Sequence, residues 1–533
     1  MTTTVYSYEA DWRQYAFPPQ VSGFARESQL EDRYTPVTLA PGISLEAGGL
    51  PVCSDGVRAI LNTENEHSLI YGSTASKKTR TLMVPLIGIL AQARESMIIM
   101  DIKGELSDGT TFPQIRGALA ENGYDCRFFN LRDMDGDGFN LLLEPYRLYR
   151  AGHRDDAIRM CNDIADALAG VYRGTKADPF WELTAKLYLV SVTILIFELC
   201  RDVNKINMLT LASYTDWDSC EDMRRIANLI QTENNIMTML RSVTSEPEKT
   251  RMSTLATVNS MLTNFLTNEK LLKMLSNSTF DLHDISKKPT ALFIILPDEV
   301  DTYAGIAGLM LQQISATLVR DAYINGGKLP RRVNFLCDEF CNYHIPGMMR
   351  SISAHRSRNI RWYLVCQSRK QLEACYPQEA DTISANCSNI YFLNSPELEL
   401  LEYLSRRAGH TTVTRDGNPE PILTVADLQS LKKGWTHTDV YFTSGNLHYV
   451  SPMPDISQYR FLDSYRESLP LPRRTFPQPP LYGSGAMLRD VRALRRAHEA
   501  KLEGSTLSGA EICLAELYEN LFKGIKKEDG LCP

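Results

Sequence analysis

The sequence predicts an α/β fold with a mostly parallel central sheet, interrupted by an inserted all-α domain. Short apolar runs alternate with helical stretches over residues 67–145 and again over 289–465, the pattern of parallel strands joined by helices. Over residues 146–288 strong strand patterns disappear, and apolar residues recur at helical spacing. We therefore expect the insertion to divide one domain of the nucleotide-binding type into two sequence segments.

Seven apolar runs are predicted to be strands of this divided domain. They are 68–72, 96–105, 124–131, 291–297, 333–340, 361–368 and 389–394. Helical stretches separate most of them, including "TRTLMVPLIGILAQA" after the first run and residues 303–323 after the fourth. This alternation is typical of a parallel sheet covered by helices.

The insertion reads as helical throughout. Its most apolar run, 187–200, is short for a membrane span and lies between charged helical segments, so we expect a buried helix. The residues that recur at helical spacing are Leu183, Leu187, Val190, Ile194 and Phe197 in one stretch, and Leu255, Val258, Leu262, Phe265 and Leu272 in another.

Two further segments flank the divided domain. Residues 1–66 are polar and irregular, and residues 1–30 lack the pattern of a signal peptide. Residues 466–533 begin as a proline-rich linker and continue into a helical tail, with helices predicted at 489–501 and 509–527.

Composition is that of an ordinary folded protein. Of the 533 residues 43% are hydrophobic and 23% are charged. The net charge of −7 argues against a protein that coats nucleic acid, but it permits a local basic channel. The 12 cysteines include no C-x-x-C pair. This favours a reduced cytosolic compartment over a disulfide framework or a zinc module.

The stretch "GSTASKKT" resembles the phosphate-loop pattern G-x-x-x-x-G-K-[ST], with Lys77 in place of the second glycine. It follows a predicted strand and precedes a predicted helix, as a phosphate loop should. Lys78 would reach the β and γ phosphates of ATP, and the Thr79 hydroxyl would help to hold Mg²⁺. An ordinary strand-to-helix turn is the alternative. The predicted nucleotide-binding residues are Gly72, Ser73, Thr74, Ala75, Ser76, Lys77, Lys78, Thr79 and Arg80.

A second element supports the first. The run "VNFLCDEF" ends in Asp338 and Glu339, and strand-terminal carboxylates of a parallel sheet emerge at its ligand-binding edge. In a phosphate-loop ATPase the first acid holds Mg²⁺ through water and the second activates the attacking water. Two acids that merely begin a polar loop are the alternative.

The next strand ends in Gln367, which could sense the γ phosphate or position the attacking water; a buried structural amide is the alternative. Arg356, Arg358 and Arg361 precede this strand. In ring-shaped ATPases an arginine from one subunit completes its neighbour's site, although these three could also be solvated surface charges.

Together these motifs resemble those of the type IV secretion coupling proteins, the TraG/TraD-like ATPases of bacterial conjugation. The matching runs include the phosphate-loop stretch, "DIKGE", "GFNLL", "DPFWE", "ALFIILPDE", "NFLCDEF", "SRNIRWYLVCQSRKQLEACY", "ISANC" and "YLSRRAGHTTV". They occur in the family's order and cover roughly residues 67–415. Physical reasoning alone assigns no role to the glycine and charges of "DIKGE".

The resemblance implies a RecA-like P-loop NTPase domain, with ATP and Mg²⁺ as ligands and an assembly that is commonly hexameric. It implies a position at the cytoplasmic face of the cell membrane, where relaxase or relaxosome proteins, DNA and protein substrates are handed to the secretion channel. Carried over by position, Asp338 and Glu339 match the Walker B pair, Gln367 the glutamine after the next strand, and Arg356 the family's arginine in that region.

The sequence departs from the family in two respects. Family members usually begin with transmembrane helices; none is evident here, so we expect membrane association to be indirect or through a missing segment. The second departure is Lys77, whose ammonium could point into solvent or add a second cation near the phosphates. A side chain at positive φ costs on the order of 1–2 kcal/mol, so Lys77→Gly is predicted to raise ATP turnover.

Three functions remain open on the sequence. The first is a motor that uses ATP to pass DNA or protein to the channel. The second is an adaptor that kept the fold and recruits substrates without fast hydrolysis. The third, a partitioning or packaging ATPase, would not need the helical insertion. The basic helix 489–501 could contact DNA, anionic lipid or a channel subunit, or be a solvated face; DNA binding there should weaken with salt.

Overall fold

The computed structural model describes residues 24–172, 179–230, 235–298, 303–410, 420–463, 465 and 471–522. These residues form two compact units. The first contains the described residues up to Gly136 together with Asp281–Arg473, and the second contains Asp137–Phe280 together with the residues from Arg474 onward. Parts of "DPFWE", of "YLSRRAGHTTV" and of both ends of the chain lie outside the described residues.

The first unit contains two sheets. Its strands are β1 Thr35–Thr38, β2 Leu50–Ser54, β3 Arg58–Asn62, β4 Ser68–Tyr71, β5 Ser96–Asp101, β6 Asp125–Asn130, β7 Asp135–Gly136, β8 Thr290–Ile295, β9 Val333–Cys337, β10 Ile360–Cys366, β11 Asn389–Phe392, β12 His437–Ser444 and β13 Leu447–Pro454. The main sheet has ten strands in the order β13-β12-β11-β4-β10-β9-β5-β8-β6-β7. Strands β11 through β6 in that order are parallel to their neighbours, while β12, β13 and β7 pair antiparallel.

The composition of the strands agrees with a sheet that is covered on both faces. The parallel strands β4, β5, β8, β9 and β10 are mainly apolar and every residue in them is buried, as expected when helices cover both faces. The helical segments of this unit are Glu27–Arg33, a π-helical turn Thr79–Met83, Val84–Gln92, Pro113–Glu121, Leu282–Asp284, Ala304–Ile324, Phe340–Asn342, Met348–His355, Arg356–Arg358, Arg369–Cys375, Ala380–Asn386, Leu398–Ala408, Val425–Ser430, Ile456–Gln458 and Arg460–Asp463.

The N-terminal segment differs from the expectation of an irregular stretch. Its described part carries the helix Glu27–Arg33 and a separate antiparallel sheet in the order β1-β3-β2. Leu50, Val52 and Ile60 of this sheet belong to the core that also contains the helix Val84–Gln92. The Gly and Pro residues between these short strands hid the strand pattern in the sequence. The apolar residues of the strands are nevertheless buried in the core of the first unit.

The described residues of the second unit form helices and connecting segments, with no strand among them. Its helices are Leu143–Arg150, Arg154–Tyr172, Pro179–Leu199, Val203–Lys205, Met208–Ala212, Trp217–Leu229, Asn235–Thr244, Glu248–Leu266, Glu269–Met274, Ser484–Leu502 and Gly509–Phe522. The expected all-α insertion is thus present, and it spans 137–280 where the sequence indicated 146–288.

The tail helices are part of this helical unit. Ser484–Leu502 packs against Trp217–Leu229 and Gly509–Phe522, and it buries Met487, Val491 and Leu494. Its Arg489, Arg492 and Arg496 are exposed on the opposite face. The sequence had placed this helix in a tail beyond a linker; its apolar stripe explains the packing. Contact with DNA stays a prediction.

The apolar helix Pro179–Leu199 is the one helix of the described residues that is long and apolar enough to cross a membrane by those criteria alone. Most of it is buried within the protein, in agreement with the expected core helix. The beginning of the helix is different, because Leu183, which was expected on the buried face, is 57% exposed.

Candidate functional site

The residues singled out from the motifs meet at one edge of the main sheet. β4, β9 and β10 are parallel neighbours, with Tyr71 opposite Cys366 and Leu364 opposite Cys337. Their carboxyl ends therefore open on the same edge, which is where ligands bind in parallel α/β sheets. The loop that begins at Gly72, the acids after Cys337 and the amide of Gln367 all lie there.

The loop after β4 is fixed to the two flanking strands by its backbone. The Gly72 N–H donates to the Cys366 carbonyl at 3.1 Å, and the Ser73 N–H donates to the Asn394 carbonyl at 2.7 Å. A Cβ added at Gly72 would lie 2.5 Å from the Ser76 hydroxyl and 3.0 Å from Lys78 Cγ. A side chain at this first position of the motif would have to displace the Ser76 hydroxyl or the Lys78 side chain.

Lys78 is buried at the centre of the loop. Its ammonium donates to the carbonyl of Gly72 at 2.5 Å and to that of Ser73 at 3.2 Å. Burial lowers the pKa of Lys78, and the charges of Glu339 and Asp338 oppose this shift. The influence of these two charges indicates that the lysine and the acids share one electrostatic environment.

The two acids after β9 differ in their surroundings. Burial raises the pKa of Asp338 to about 7, the charge of Glu339 adds to the shift, and Lys78 opposes it. Glu339 adopts a left-handed backbone conformation with φ 46°, and its N–H donates to the Asp338 carboxylate at 3.0 Å. A non-glycine residue in this region is strained by about 1–3 kcal/mol, a feature that clusters at functional sites.

Gln367 links the loop to Glu339. Its Nε2 donates to Glu339 Oε2 at 2.7 Å, and its Oε1 accepts from the Thr74 hydroxyl at 3.2 Å. The amide is only partly buried. It is therefore not an enclosed structural group, and it lies between the phosphate-loop candidate and the second acid.

Lys77 has the backbone conformation that its position in the motif requires. Its φ is +69°, and the nearby Ala75 has φ +62°. The Lys77 ammonium donates to the carbonyl of Gly434 at 2.7 Å and to that of Trp435 at 3.4 Å, and lies 4.0 Å from an oxygen of Asp455. The side chain is thus tethered to another segment of the chain instead of pointing into solvent or adding a cation beside Lys78.

Arg80 is directed to the same segment. Its guanidinium makes a bidentate ion pair with Asp455 at 2.8 and 2.6 Å. Residues two apart on a helix point to opposite sides, so Arg80 cannot share the direction of Lys78. A contact between Arg80 and nucleotide stays a prediction, and the observed role is to anchor the loop helix.

The three arginines singled out near the start of β10 have separate environments, and Arg361 lies within the strand. Arg356 pairs with Glu66 at 3.8 Å and remains about half exposed; both residues lie at the amino edge of the sheet, opposite Lys78. Arg358 is held by the carbonyl of Ala354. Arg361 is fully buried and pairs with Glu95 at 2.6 Å, so it is neither a solvated charge nor available to a neighbouring subunit.

The "DIKGE" turn lies at the same edge as the acids. The Asp101 carboxylate ends β5 and accepts from the Ser107 N–H at 2.8 Å, while Gly104 turns the chain with φ +73°. Burial raises the pKa of Asp101, and its charge contributes to the raised pKa of Asp338. The turn therefore shapes the acidic side of the site.

The site fits a nucleotide with Mg²⁺ on its own geometry. The Ser76 hydroxyl is buried beneath the loop with no hydrogen-bond partner within the described part of the chain. Lys78 supplies a cation, and the Asp338 carboxylate and the Thr79 hydroxyl supply the oxygen ligands that Mg²⁺ prefers. An anion bound at the loop would have donors beside it in Lys78 and Ser76.

Two contacting segments were missed from the sequence. Gly434 and Trp435 precede β12, and Asp455 follows β13. The hairpin itself has a readable signal, since Ser444 pairs with Leu447 across a two-residue turn at Gly445, whose φ is +61°. Nothing in the sequence linked these residues to the loop more than 350 positions earlier.

Comparison with known proteins gives consistent matches. A sequence model of the family described as "Type IV secretory system Conjugative DNA transfer" matches residues 25–433. The conjugal transfer protein TraG of Escherichia coli is 26% identical over 384 residues, which are 66% of this chain and 56% of that protein. The chain thus spans about half the length of this curated relative.

Solved structures share the architecture. Plasmid coupling protein TrwB in complex with the ATP analogue ADPNP has a TM-score of 0.54 at 15% identity, covering 85% of this chain and 98% of that one. TrwB with ADP and Mg²⁺ gives 0.55 at 15%, covering 87% and 97%. VirB4 of Thermoanaerobacter pseudethanolicus gives 0.50 at 13%, covering 78% and 100%. The predicted fold class, a RecA-like P-loop domain with an all-α insertion, is confirmed.

Proposed function

The chain belongs to the type IV secretory system conjugative DNA transfer family, and from this premise we propose that it is a coupling ATPase. It would recruit a relaxase–DNA complex or a protein substrate and pass it to the secretion channel with ATP. The observation that carries the proposal is the meeting of Lys78, Asp338, Glu339 and Gln367 at one edge of the sheet.

The side chains divide the chemistry among them. Lys78 neutralises charge on the β and γ phosphates. Glu339, whose carboxylate is held by Gln367 at 2.7 Å, accepts a proton from the attacking water. Gln367 also accepts a hydrogen bond from Thr74 of the loop. A movement of the loop when the phosphates bind or leave would therefore be transmitted to Glu339 through the Gln367 amide.

Mg²⁺ would be held by the Thr79 hydroxyl and, through water, by Asp338. When bound, it supplies positive charge that stabilises the phosphate oxygens during transfer. TrwB, a structural relative, has been solved with ADP and Mg²⁺, which supports the same ligands here. Asp338 must be ionised to hold Mg²⁺ in this way.

We propose a ring, commonly a hexamer in this family, at the cytoplasmic face of the cell membrane. Arg356 lies at the sheet edge opposite its own chain's Lys78, so we assign it to a neighbouring subunit's site. Channel subunits and relaxosome proteins are the proposed partners, and membrane association would be indirect or through a further segment.

The test is ATP hydrolysis by the purified protein with and without DNA, fractionated by oligomeric state. We expect hydrolysis that DNA stimulates and that the oligomer carries, with Glu339→Gln as the inactive control. Absence of hydrolysis in every fraction, with Mg²⁺-nucleotide binding intact, would favour the adaptor instead.

The adaptor is the second candidate because one motif position is substituted. Lys77 occupies a left-handed conformation that glycine adopts without strain. The tether to Gly434 and Trp435 nevertheless holds the loop in the required shape, which supports an active site over a degenerate one.

Variants of Lys77 separate strain from tether. In Lys77→Gly the tether is lost, but the relief of about 1–2 kcal/mol of backbone strain outweighs this loss. We therefore expect ATP turnover about two- to fivefold above that of the unmodified chain. In Lys77→Ala the strain remains and the tether is lost, so turnover should fall below it. Steady-state ATP hydrolysis of the three proteins gives the order, and equal rates for all three would contradict this account.

A further inference from the structure

Two thiols lie in contact beside the catalytic residues. Cys341 Sγ and Cys366 Sγ are 3.6 Å apart, the one thiol–thiol contact within hydrogen-bonding distance in the described part of the chain. We propose that this dithiol is an oxidative modification site, which a small-molecule disulfide converts to a Cys341–Cys366 disulfide that inactivates the site.

Each thiol lies close in sequence to one of the proposed catalytic residues. Cys341 lies two residues after Glu339, in the helical turn Phe340–Asn342. Cys366 is the last residue of β10 and directly precedes Gln367, and its carbonyl accepts the N–H of Gly72. A bond between the two sulfurs would therefore join the turn of the base to the strand that carries the amide and supports the loop.

Accessibility assigns the two roles in the exchange. Cys341 is partly exposed, while Cys366 is buried, so the incoming disulfide meets Cys341 first. Cys375 is partly exposed too, but Cys341 makes its thiol contact with Cys366. Cys513 is exposed in the tail helix of the other unit and provides an accessible thiol for comparison.

In the proposed exchange the reagent disulfide is reduced to two thiols while the two cysteines are oxidised to one disulfide. The Cys341 sulfur, deprotonated, attacks one sulfur of the reagent R–S–S–R, forming a mixed disulfide and releasing one thiolate. The Cys366 sulfur then attacks the Cys341 sulfur, forming the Cys341–Cys366 bond and releasing the second thiolate. The two cysteines lose two electrons, the reagent gains them, and the two protons pass to the released thiolates.

Closing the bond must move catalytic atoms. A disulfide needs its sulfurs about 2.05 Å apart, so the pair must draw together from 3.6 Å. Glu339 and Gln367 are held to each other at 2.7 Å, and the two cysteines lie within two residues of them along the chain. A displacement of about 1 Å at reacting groups lowers rates about 100-fold, so we expect at least about a tenfold loss of turnover.

The experiment treats the reduced full chain with oxidised glutathione and maps disulfides by mass spectrometry of unreduced peptides. The expected product is the Cys341–Cys366 link, with turnover reduced at least about tenfold and restored by dithiothreitol. Cys341→Ser should resist the loss, and Cys513→Ser should respond like the unmodified chain. Cys366→Ala, checked for folding by circular dichroism, should retain glutathione on Cys341 as a mixed disulfide.

Several outcomes would overturn the proposal. They are a stable glutathione adduct on Cys341 with Cys366 still reduced, a link from Cys341 to Cys375 instead, or a quantitative Cys341–Cys366 link with unchanged turnover. The effect on turnover rests on the proposed ATPase function, whereas the peptide map does not. A reduced chain that hydrolyses no ATP would refute the ATPase, and the map would still decide the chemistry of the thiols.

Discussion

Replacing Glu339 by glutamine is expected to lower ATP hydrolysis by about 10²- to 10⁴-fold, the contribution typical of a general base. The glutamine amide can still present an oxygen to Gln367 Nε2, which now donates to Glu339 at 2.7 Å, so the local structure should persist. Nucleotide affinity should therefore change by less than about threefold, since Lys78 and the loop remain intact.

Single-turnover hydrolysis and the binding of a fluorescent nucleotide measure the two quantities separately. Glu373→Gln is a matched control, because Glu373 is an exposed acid paired with Arg369 at 2.8 Å. It makes the same chemical change outside the loop and the acids after β9. Unchanged turnover in Glu339→Gln would remove this residue from the role of base and require another acceptor for the proton.

Replacing Asp338 by asparagine is expected to weaken Mg²⁺-nucleotide binding while stabilising the fold. Asparagine cannot supply the charge that favours the cation, so the affinity for Mg²⁺-nucleotide should fall at least about tenfold, with metal-free nucleotide little affected. In the unmodified chain the affinity should rise between about pH 6 and pH 8 as Asp338 ionises, because its pKa is raised to about 7. In the variant this pH dependence should be lost.

The stability effect has the opposite direction. With a folded pKa of about 7, above its usual value, Asp338 keeps its proton in the folded state and loses it in the unfolded state over the interval below pH 7. The free energy of unfolding therefore falls as pH rises through that interval, and the penalty is complete above it. Asparagine avoids the penalty, so the Tm of the first unit should rise by about 2–4 °C at pH 8.

This gain should shrink as the pH is lowered toward 5, where Asp338 is protonated in the folded chain. Scanning calorimetry of both proteins at pH 5 and pH 8 measures it. Asp381→Asn removes an exposed acid of the same type as a control, paired with Arg369 at 2.6 Å. A lower Tm for Asp338→Asn at both pH values would show that the Asp338 charge stabilises the fold.

Local pattern was sufficient to predict the parallel strands and the residues at their carboxyl ends. Asp338 and Gln367 each follow a fully buried strand, so their position was fixed once the strands were identified. The environment of Arg361 was not predicted from the local pattern. This residue is the second of strand β10 and is fully buried although it carries a charge. Its charge is compensated by Glu95, and a pair of this sequence separation has no local signature.

The orientation of the loop side chains also depended on distant residues. The phosphate-loop motif predicts backbone strain at Lys77, and the structure has the left-handed φ expected at this position. The motif left two destinations for the ammonium, solvent or the phosphates. The actual acceptors lie at Gly434 and Trp435, brought to the loop by the hairpin of β12 and β13, and no period or spacing in the sequence encodes that contact.

The tether of Lys77 reaches beyond the part of the chain that matches the family. Its acceptors at Gly434 and Trp435, and the nearby carboxylate of Asp455, all lie beyond residue 433, where the match to the family ends. Lys77 therefore has its hydrogen-bond acceptors in a segment outside the matched region. The residue at position 77 and the segment from 434 to 455 are thus physically coupled, since a change in either alters the same contacts.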